Sequence, residues 1–419
     1  MNNLKEEILQ VGQQAQSAVR LLATLSGEIR QNAIAAMPAK LKMVRNELSG
    51  ANAADVDEAR ENGLEGPMVK RLQITDKVFD YMLNRLEEVA LLPDPLNRVL
   101  EGHTQPNGLR VEKISVPLGV VGIIYESRPN VTTDAASVCL KSGNAVILRG
   151  GSESLRTNIV LADAMISALG ENGVPEHAVQ IIRVPGHEAV NELLKLDQYI
   201  NVLIPRGGKG LIKRISEGTR IPVIKHYEGV CHLYLADDAP DEMAVALSVN
   251  SKCQRVEVCN ALENLLVDVK AAERLLPKLK QAFEKNGVEL RGCDRTLLYL
   301  PDINSATEED WSTEYLAPVL SVKVVDGMNE AVDFINTYGS GHTDGIVTGS
   351  LERANRFVNA VDSASVLVNA STRLSGGGDY GMGAVVGIST DKLHARGPVG
   401  PNDLTSYKWV AYGDGHLRT

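Results

Sequence analysis

The sequence predicts an α/β protein of two doubly wound domains, with a small β-hairpin and a turn-rich tail. Three observations lead there. Up to Pro93 the apolar residues recur only at helical spacing. From residue 109 onward short strand-like runs alternate with helical stretches, the order that builds parallel sheets. The last segment, 371–419, is rich in Gly and turn residues and closes on an aromatic, strand-like run, Thr405–Tyr412.

The elements follow in chain order. Residues 4–47 read as helix, with Ile8, Val11, Ala15, Val19, Leu22 and Leu25 on one face, and 52–62 and 68–90 continue the pattern. Pro93 and Pro95 end it. Leu109, Val111, Lys113, Ser115 and Pro117 alternate with residues of the other kind, as in an exposed strand or hairpin. Val120–Tyr125 is continuously apolar, as in a buried parallel strand. A helix over 131–142, a strand Ala145–Arg149 and a helix opening near Ser152 come next. They are followed by a strand Val179–Val184, a helix over 187–195, a strand Asn201–Ile204 and a helix over 210–217. Strand signals recur at Ile221–Lys225 and His232–Leu235, before a helix over 240–250. The second domain repeats the alternation. Its strands are Asn264–Val267, Leu297–Leu300, Val319–Val325, Gly345–Val347 and Ser365–Val368, and its helices lie over 270–286, 329–337 and 351–360. The expected division is 1–237, including a strand of an oligomerisation arm within 105–122, then 238–370, then 371–419.

Composition narrows the function. With 419 residues, 44% hydrophobic and 23% charged, this is an ordinary globular chain. A net charge of -10 and the lack of a basic stripe argue against nucleic acid, whose phosphates need clustered Lys and Arg. The run Val116–Tyr125 is too short to cross a bilayer and contains Pro117, and the start of the chain lacks the apolar core of a signal peptide. Five cysteines at irregular spacing, with no CxxC and no zinc-type Cys/His spacing, predict free thiols in a reducing cytoplasm and no metal.

Cys259 is the candidate nucleophile. It stands where a polar turn gives way to an apolar run, downstream of Lys252 and Arg255, which favour a thiolate. An inert core thiol is the competing reading, and Cys253 is a rival nucleophile. Cys139 and Cys231 lie in apolar runs and read as core. Asn130, after Pro129, is either a helix cap or an oxyanion donor. Arg149-Gly150-Gly151-Ser152 closes a strand and opens a helix, and so does Pro205-Arg206-Gly207-Gly208-Lys209-Gly210. Neither is GxGxxG or a Walker turn, yet two such turns in successive units favour a nucleotide site over ordinary tight turns. Arg128, Arg255, Arg373 and Arg396 are candidates to hold an anionic substrate, because a guanidinium offers a planar fork to carboxylate or phosphate.

Several runs carry a resemblance along nearly the whole chain. They are Val116–Val120, Tyr125–Val131, Lys141–Gly151, Leu203–Gly208, Val258–Ala261, Val368–Arg373 and Lys392–Pro398. In them the chain closely resembles the gamma-glutamyl phosphate reductases (glutamate-5-semialdehyde dehydrogenases) of the aldehyde dehydrogenase superfamily. The resemblance implies an aldehyde-dehydrogenase-like fold and the second step of proline biosynthesis, NADPH-dependent reduction of L-glutamyl 5-phosphate through a cysteinyl thioester. It implies Cys259 as nucleophile, Asn130 as oxyanion donor, Gly207 and Gly208 near the cofactor pyrophosphate, and Glu314 at a ribose. Arg149 stands where many relatives keep a cofactor lysine. Arg149 with Ser152, and no acid at either position, suits the 2'-phosphate of NADP. A homo-oligomer and coupling to glutamate 5-kinase are further expectations. Four places depart from the family pattern: Cys253, Val256-Glu257, Leu374 and Val385. A Glu at 257 is expected to oppose the thiolate. The rival readings are an aldehyde dehydrogenase that uses NAD and water, and a non-catalytic protein that kept the fold.

Overall fold

A computed structural model describes residues 2–64 and 66–418. The chain forms two units. Unit one runs to Lys225 and takes back 381–387 and the chain from Val399 onward; unit two holds His226–Tyr380 and Ile388–Pro398.

Unit one opens with α1 (Asn2–Leu22), α2 (Gly27–Met43), α3 (Arg45–Glu61), α4 (Gly66–Leu72) and α5 (Asp76–Leu91). The helical spacing is realised in burial: Ile8, Ala15, Ala18 and Leu22 of α1 are all enclosed. The continuous helix expected over 4–47 breaks after Leu22, where the Ser26 hydroxyl accepts the Ile29 N–H and starts α2. Next come β1 (Val99–Thr104), β2 (Arg110–Pro117), β3 (Val120–Tyr125), α6 (Asn130–Lys141), β4 (Ala145–Gly150), α7 (Leu155–Glu171), β5 (Val179–Ile181), α8 (His187–Leu193), β6 (Val202–Arg206) and α9 (Lys209–Gly218). Every residue of β3 and β4 is buried, in keeping with the continuous apolar run of β3 and the apolar start of β4, which ends in buried Arg149. The parallel sheet has the order β5-β4-β3-β6. The chain therefore builds outward on one side of β3 and then crosses to the other side. The switch point lies between β3 and β6, and its carboxyl ends are where such sheets bind ligands.

Unit two contains β7 (Cys231–Leu235), α10 (Asp241–Cys253), β8 (Leu262–Asp268), α11 (Val269–Lys285), β9 (Glu289–Gly292), α12 (Asp294–Leu297) and β10 (Asn304–Ser305). It continues with β11 (Val319–Val325), α13 (Met328–Tyr338), β12 (Thr343–Val347), α14 (Leu351–Ala360) and β13 (Ser365–Val368). Its seven-stranded sheet, β10-β9-β11-β8-β7-β12-β13, is parallel throughout. The chain passes between the units at β14 (Gly387–Ser389) and β15 (Gly397–Val399) and finishes in β16 (Thr405–Tyr412). β16 lies antiparallel on β2, giving a separate sheet β1-β2-β16 in unit one.

Four further expectations change. The boundary falls at 225/226 instead of 237, because β7 is hydrogen-bonded between β8 and β12 and so belongs to the second sheet. The tail is shared: 371–380 and 388–398 lie with unit two, and the remainder with unit one. Leu297–Leu300 is no strand but the end of α12 and a turn, with Leu300 buried and Leu298 exposed. Ile221–Lys225 contributes a single bridge, Val223 to Leu203.

Candidate active site

In unit two, β7, β8 and β12 are adjacent and parallel. The segments that lead into them therefore meet at one edge. Those segments carry His226, Glu228 and Gly229 before β7, Cys259 before β8, and His342 before β12. Cys259 is partly exposed, so the sulfur is not an enclosed core thiol. A Cβ on Gly229 would stand 1.9 Å from the Cys259 carbonyl oxygen, so only glycine lets the two turns approach. The Cys231 thiol donates to that same carbonyl at 3.2 Å.

Asn260 fixes the other side of the turn. Its Nδ2 donates to the carbonyls of Arg373 (3.3 Å) and Ser375 (2.9 Å), and its Oδ1 accepts from the Arg373 guanidinium. Arg373 also donates to Gln254 at 2.9 Å. Burial, and then the Arg255 charge, lower the Arg373 pKa, while Cys259 raises it. Thiol and guanidinium are thus coupled, and the cation favours the thiolate. The sequence pointed to Lys252 for that task, but Lys252 is fully buried and bound to buried Glu263 at 2.5 Å. Glu263 also accepts the Leu316 N–H at 3.4 Å, so this pair ties α10 and β8 to the segment carrying Glu314. Glu257, expected to oppose the thiolate, pairs weakly with Arg255 at 3.8 Å, and both are more than half exposed. Cys253 is a poor rival, because burial raises its pKa. Cys139 and Cys231 are buried, as expected of core thiols.

Glu314 is held in the same unit. Burial raises its pKa first, while the Gly229 N–H, His342 and Lys252 lower it. Arg396 donates to Asp362 through Nη1 (2.8 Å) and Nη2 (2.9 Å, to the backbone), so its charge is engaged by that residue.

In unit one the candidates gather at the carboxyl ends of β3, β4 and β6. Glu126 lies just past β3; its N–H donates to the Arg206 carbonyl and its Oε2 accepts the Gly208 N–H, both at 3.0 Å. A Cβ on Gly207 would meet that carboxylate at 2.3 Å. A Cβ on Gly208 would point into open space. The N-terminus of α9 thus receives the carboxylate oxygen of Glu126, with an open glycine beside it. Arg149 is buried and donates to the carbonyls of Gly150 and, at 2.7 Å, Gly186; Ser152 Oγ accepts the Gly186 N–H at 3.2 Å. Arg128 sits on the turn before α6. Asn130 begins α6 instead of capping it, with no side-chain cap bond. Its Nδ2 donates to Asp134 Oδ2 at 3.2 Å, one turn along, which leaves the second N–H of the amide for another acceptor. Asp134 Oδ1 is buried and has no partner among the described residues. Burial pushes the Asp134 carboxyl up to about 6.

Sequence reasoning missed His226, His342, Asn260 and Asp134. No local spacing marks the two histidines, because strand adjacency alone brings them to Cys259. Asn260, next to the thiol, was the one local signal available.

Two outcomes are expected. Gly229→Ala forces its methyl group against the Cys259 backbone. It should destabilise the chain by about 1–3 kcal/mol in chemical denaturation and slow alkylation of Cys259; unchanged stability and labelling would refute the contact. The second concerns Asp134, whose folded pKa is raised from 3.8 to about 6. Its stabilising contribution is complete below the unfolded value and is lost as pH rises through the folded one. Asp134→Asn should therefore gain stability relative to the parent chain between those values, seen as a widening difference in melting temperature; a constant difference across that range would contradict it.

Comparison with known proteins identifies the family. The model of the aldehyde dehydrogenase family matches residues 2–297 and 286–381. A gamma-glutamyl phosphate reductase of Nautilia profundicola is 48% identical over 409 residues, covering 98% of this chain and 99% of its own. The crystal structure of the gamma-glutamyl phosphate reductase of Thermotoga maritima has a TM-score of 0.96 at 41% identity, covering 99% of this chain and 100% of that one. The Saccharomyces cerevisiae enzyme of the same name has a TM-score of 0.54 at 30% identity, with 98% of both chains covered. A partly exposed thiol held at the leading edge of a parallel sheet, glycine turns at the strand ends of another α/β unit and similarity along the whole length lead to one assignment: the chain belongs to the aldehyde dehydrogenase family, in its gamma-glutamyl phosphate reductase branch.

Proposed function

We propose that the protein reduces L-glutamyl 5-phosphate to L-glutamate 5-semialdehyde and phosphate, the second step from glutamate to proline. The observation that carries this reading is the partly exposed Cys259, coupled to Arg373 on a turn fixed by Gly229 and Asn260.

The chain's own groups divide the work. The Cys259 thiolate attacks the acyl carbon, and phosphate departs with the bonding electrons, leaving a thioester. The free N–H of the Asn130 amide and the backbone N–H of Cys259 are the proposed donors to the oxyanion. Arg373 steadies the thiolate before attack, and it regains that role when the aldehyde leaves and the sulfur is released. Arg128, Arg255 and Arg373 are the proposed holders of the substrate's phosphate and carboxylate; Arg396, engaged by Asp362, is outside this set. A nicotinamide cofactor, when bound, supplies hydride to the thioester carbon. Gly207 and Gly208 at α9, with Arg149, Gly150 and Ser152 at β4, are the proposed holders of its phosphates, and Glu314 of a ribose. A basic residue at 149 and a hydroxyl at 152 support NADP over NAD. Because phosphate is the acyl acceptor in the reverse direction, no base is needed to activate water, and Glu228 is given no such role.

Five free cysteines support a reducing compartment, the cytoplasm. Among the described residues no helix is long and apolar enough to cross a membrane. The strand β16 exposes Tyr407, Trp409 and Tyr412, a surface suited to a second copy of the chain, and we include a homo-oligomer in the proposal. Transfer of the labile acyl phosphate from glutamate 5-kinase by contact belongs to it as well. Sedimentation of the chain alone and mixed with that kinase checks both points: a lone monomer would exclude the first, and no joint species the second.

The direct assay runs in reverse. Oxidation of glutamate 5-semialdehyde with NADP should require phosphate or arsenate and fall at least about a thousandfold in Cys259→Ser, while Cys253→Ser keeps activity. Acid formation without phosphate would favour a hydrolytic aldehyde dehydrogenase. No turnover and no selective alkylation of Cys259 would favour a non-catalytic protein.

A further inference from the structure

The edge that holds Cys259 also holds two imidazoles for which the proposed reaction has no task. One ligand atom each from His226, Cys259 and His342 lies within 4.8 Å of the others. His226 and His342 meet edge-on, with ring centroids 5.5 Å apart. We infer that His226, Cys259 and His342 form a binding site for one zinc ion, and that zinc there switches the enzyme off by occupying its nucleophile. The inhibition rests on the reading of Cys259 as nucleophile; the binding does not.

The second layer of contacts prepares both rings. His226 Nδ1 lies 2.9 Å from the Ile388 carbonyl, which can only accept, so the neutral tautomer that fits this contact has its proton on Nδ1 and its lone pair on Nε2. His342 Nδ1 lies 2.8 Å from Thr343 Oγ1, whose own proton goes to Ser375 Oγ. The neutral ring is therefore also protonated at Nδ1 and carries its lone pair on Nε2. A backbone or hydroxyl acceptor on the far nitrogen is the arrangement that orients metal-binding histidines. Two neutral imidazoles and one thiolate are a donor set that zinc prefers. Zinc–nitrogen and zinc–sulfur bonds of about 2.0 and 2.3 Å need donor separations of about 3.5 Å, so side-chain rotation must draw the three atoms in by about 1 Å. Cys259 and His226 are partly exposed, which gives the ion an entrance and a fourth position for water. Cys231 is not a fourth ligand: its thiol donates to the Cys259 carbonyl, and burial keeps it protonated.

Charge around the edge is mixed. Arg373 is coupled to Cys259 and opposes a cation, whereas Glu314 is coupled to His342 and favours one. Binding releases the thiol proton to solvent and forms the zinc–sulfur bond; no electron changes hands. While the ion is bound the sulfur pair is committed to the metal and cannot attack an acyl carbon.

The test uses the whole chain and zinc chloride, in competition with a chromophoric chelator. The parent chain should bind one zinc ion, lose iodoacetamide labelling at Cys259, and recover it with EDTA. His226→Ala, chosen because His226 is partly exposed, should bind zinc at least about tenfold more weakly while its metal-free form still labels at Cys259. Cobalt on the unmodified chain should give a thiolate charge-transfer band that Cys259→Ser lacks, a readout that does not depend on the histidine variant folding. Zinc affinity unchanged in His226→Ala, or cobalt without that band, would overturn the site. If zinc binds as expected but Cys259→Ser retains turnover, the proposed reaction falls and the site stands. If the enzyme turns over through Cys259 and zinc leaves it untouched, the site falls alone.

Discussion

The close passage of Gly229 against the Cys259 carbonyl is the constraint on which the rest of unit two depends. Two parallel neighbours, β7 and β8, bring their leading turns side by side, and a side chain at 229 would push them apart. With the turns in contact, the Cys231 thiol reaches the same carbonyl and Asn260 reaches across to the segment of Arg373. The sulfur is thus located by backbone contacts, not by its own side-chain packing, and remains partly exposed while its peptide is held from three sides. Precision at a reacting atom needs this kind of supporting shell.

The two units use opposite edges of similar sheets. In unit one the glycine turns follow the strands, at the carboxyl ends of β3, β4 and β6, where open α/β sheets ordinarily take ligands. In unit two the candidate chemistry precedes the strands. The opposite edge of that sheet is filled with structural ion pairs: Asp237 and Asp238 after β7 bind Arg353, and Asp241 at the start of α10 binds Arg274. The buried Lys252–Glu263 pair serves a related end. A fully desolvated pair adds little to stability once its solvation cost is met, but it penalises any shift of α10 against β8. It stands seven residues before the sulfur and four after it along the chain. That position fits a role in holding the turn in register.

Much of this architecture was legible in the sequence because hydrophobic period separates helix from buried strand. The continuous apolar run Val120–Tyr125 and the mostly apolar run Val319–Val325 became strands, and the aromatic run Thr405–Tyr412 became β16. Periodicity failed where an element is short or at an edge. The short, charged strand β9 was not seen, and the apolar run Leu297–Leu300 was taken for a strand although Leu298 faces solvent. Pro222, which cannot donate to a ladder, limits Ile221–Lys225 to a single bridge. Cys259 and Asn130 were singled out from their local setting and from family resemblance. The histidines beside the sulfur, and the exchange of Lys252 for Arg373 as the nearby cation, required the strand order, which no local pattern encodes.

The claim that everything rests on is covalent chemistry at one cysteine. Mixing the protein with glutamate 5-semialdehyde and NADP in phosphate-free buffer, quenching in acid and mapping peptides by mass measures it most directly. The account predicts a glutamyl addition on the peptide carrying Cys259, removed when phosphate is supplied before the quench. An unmodified Cys259 peptide, or the same addition on Cys253, would contradict it.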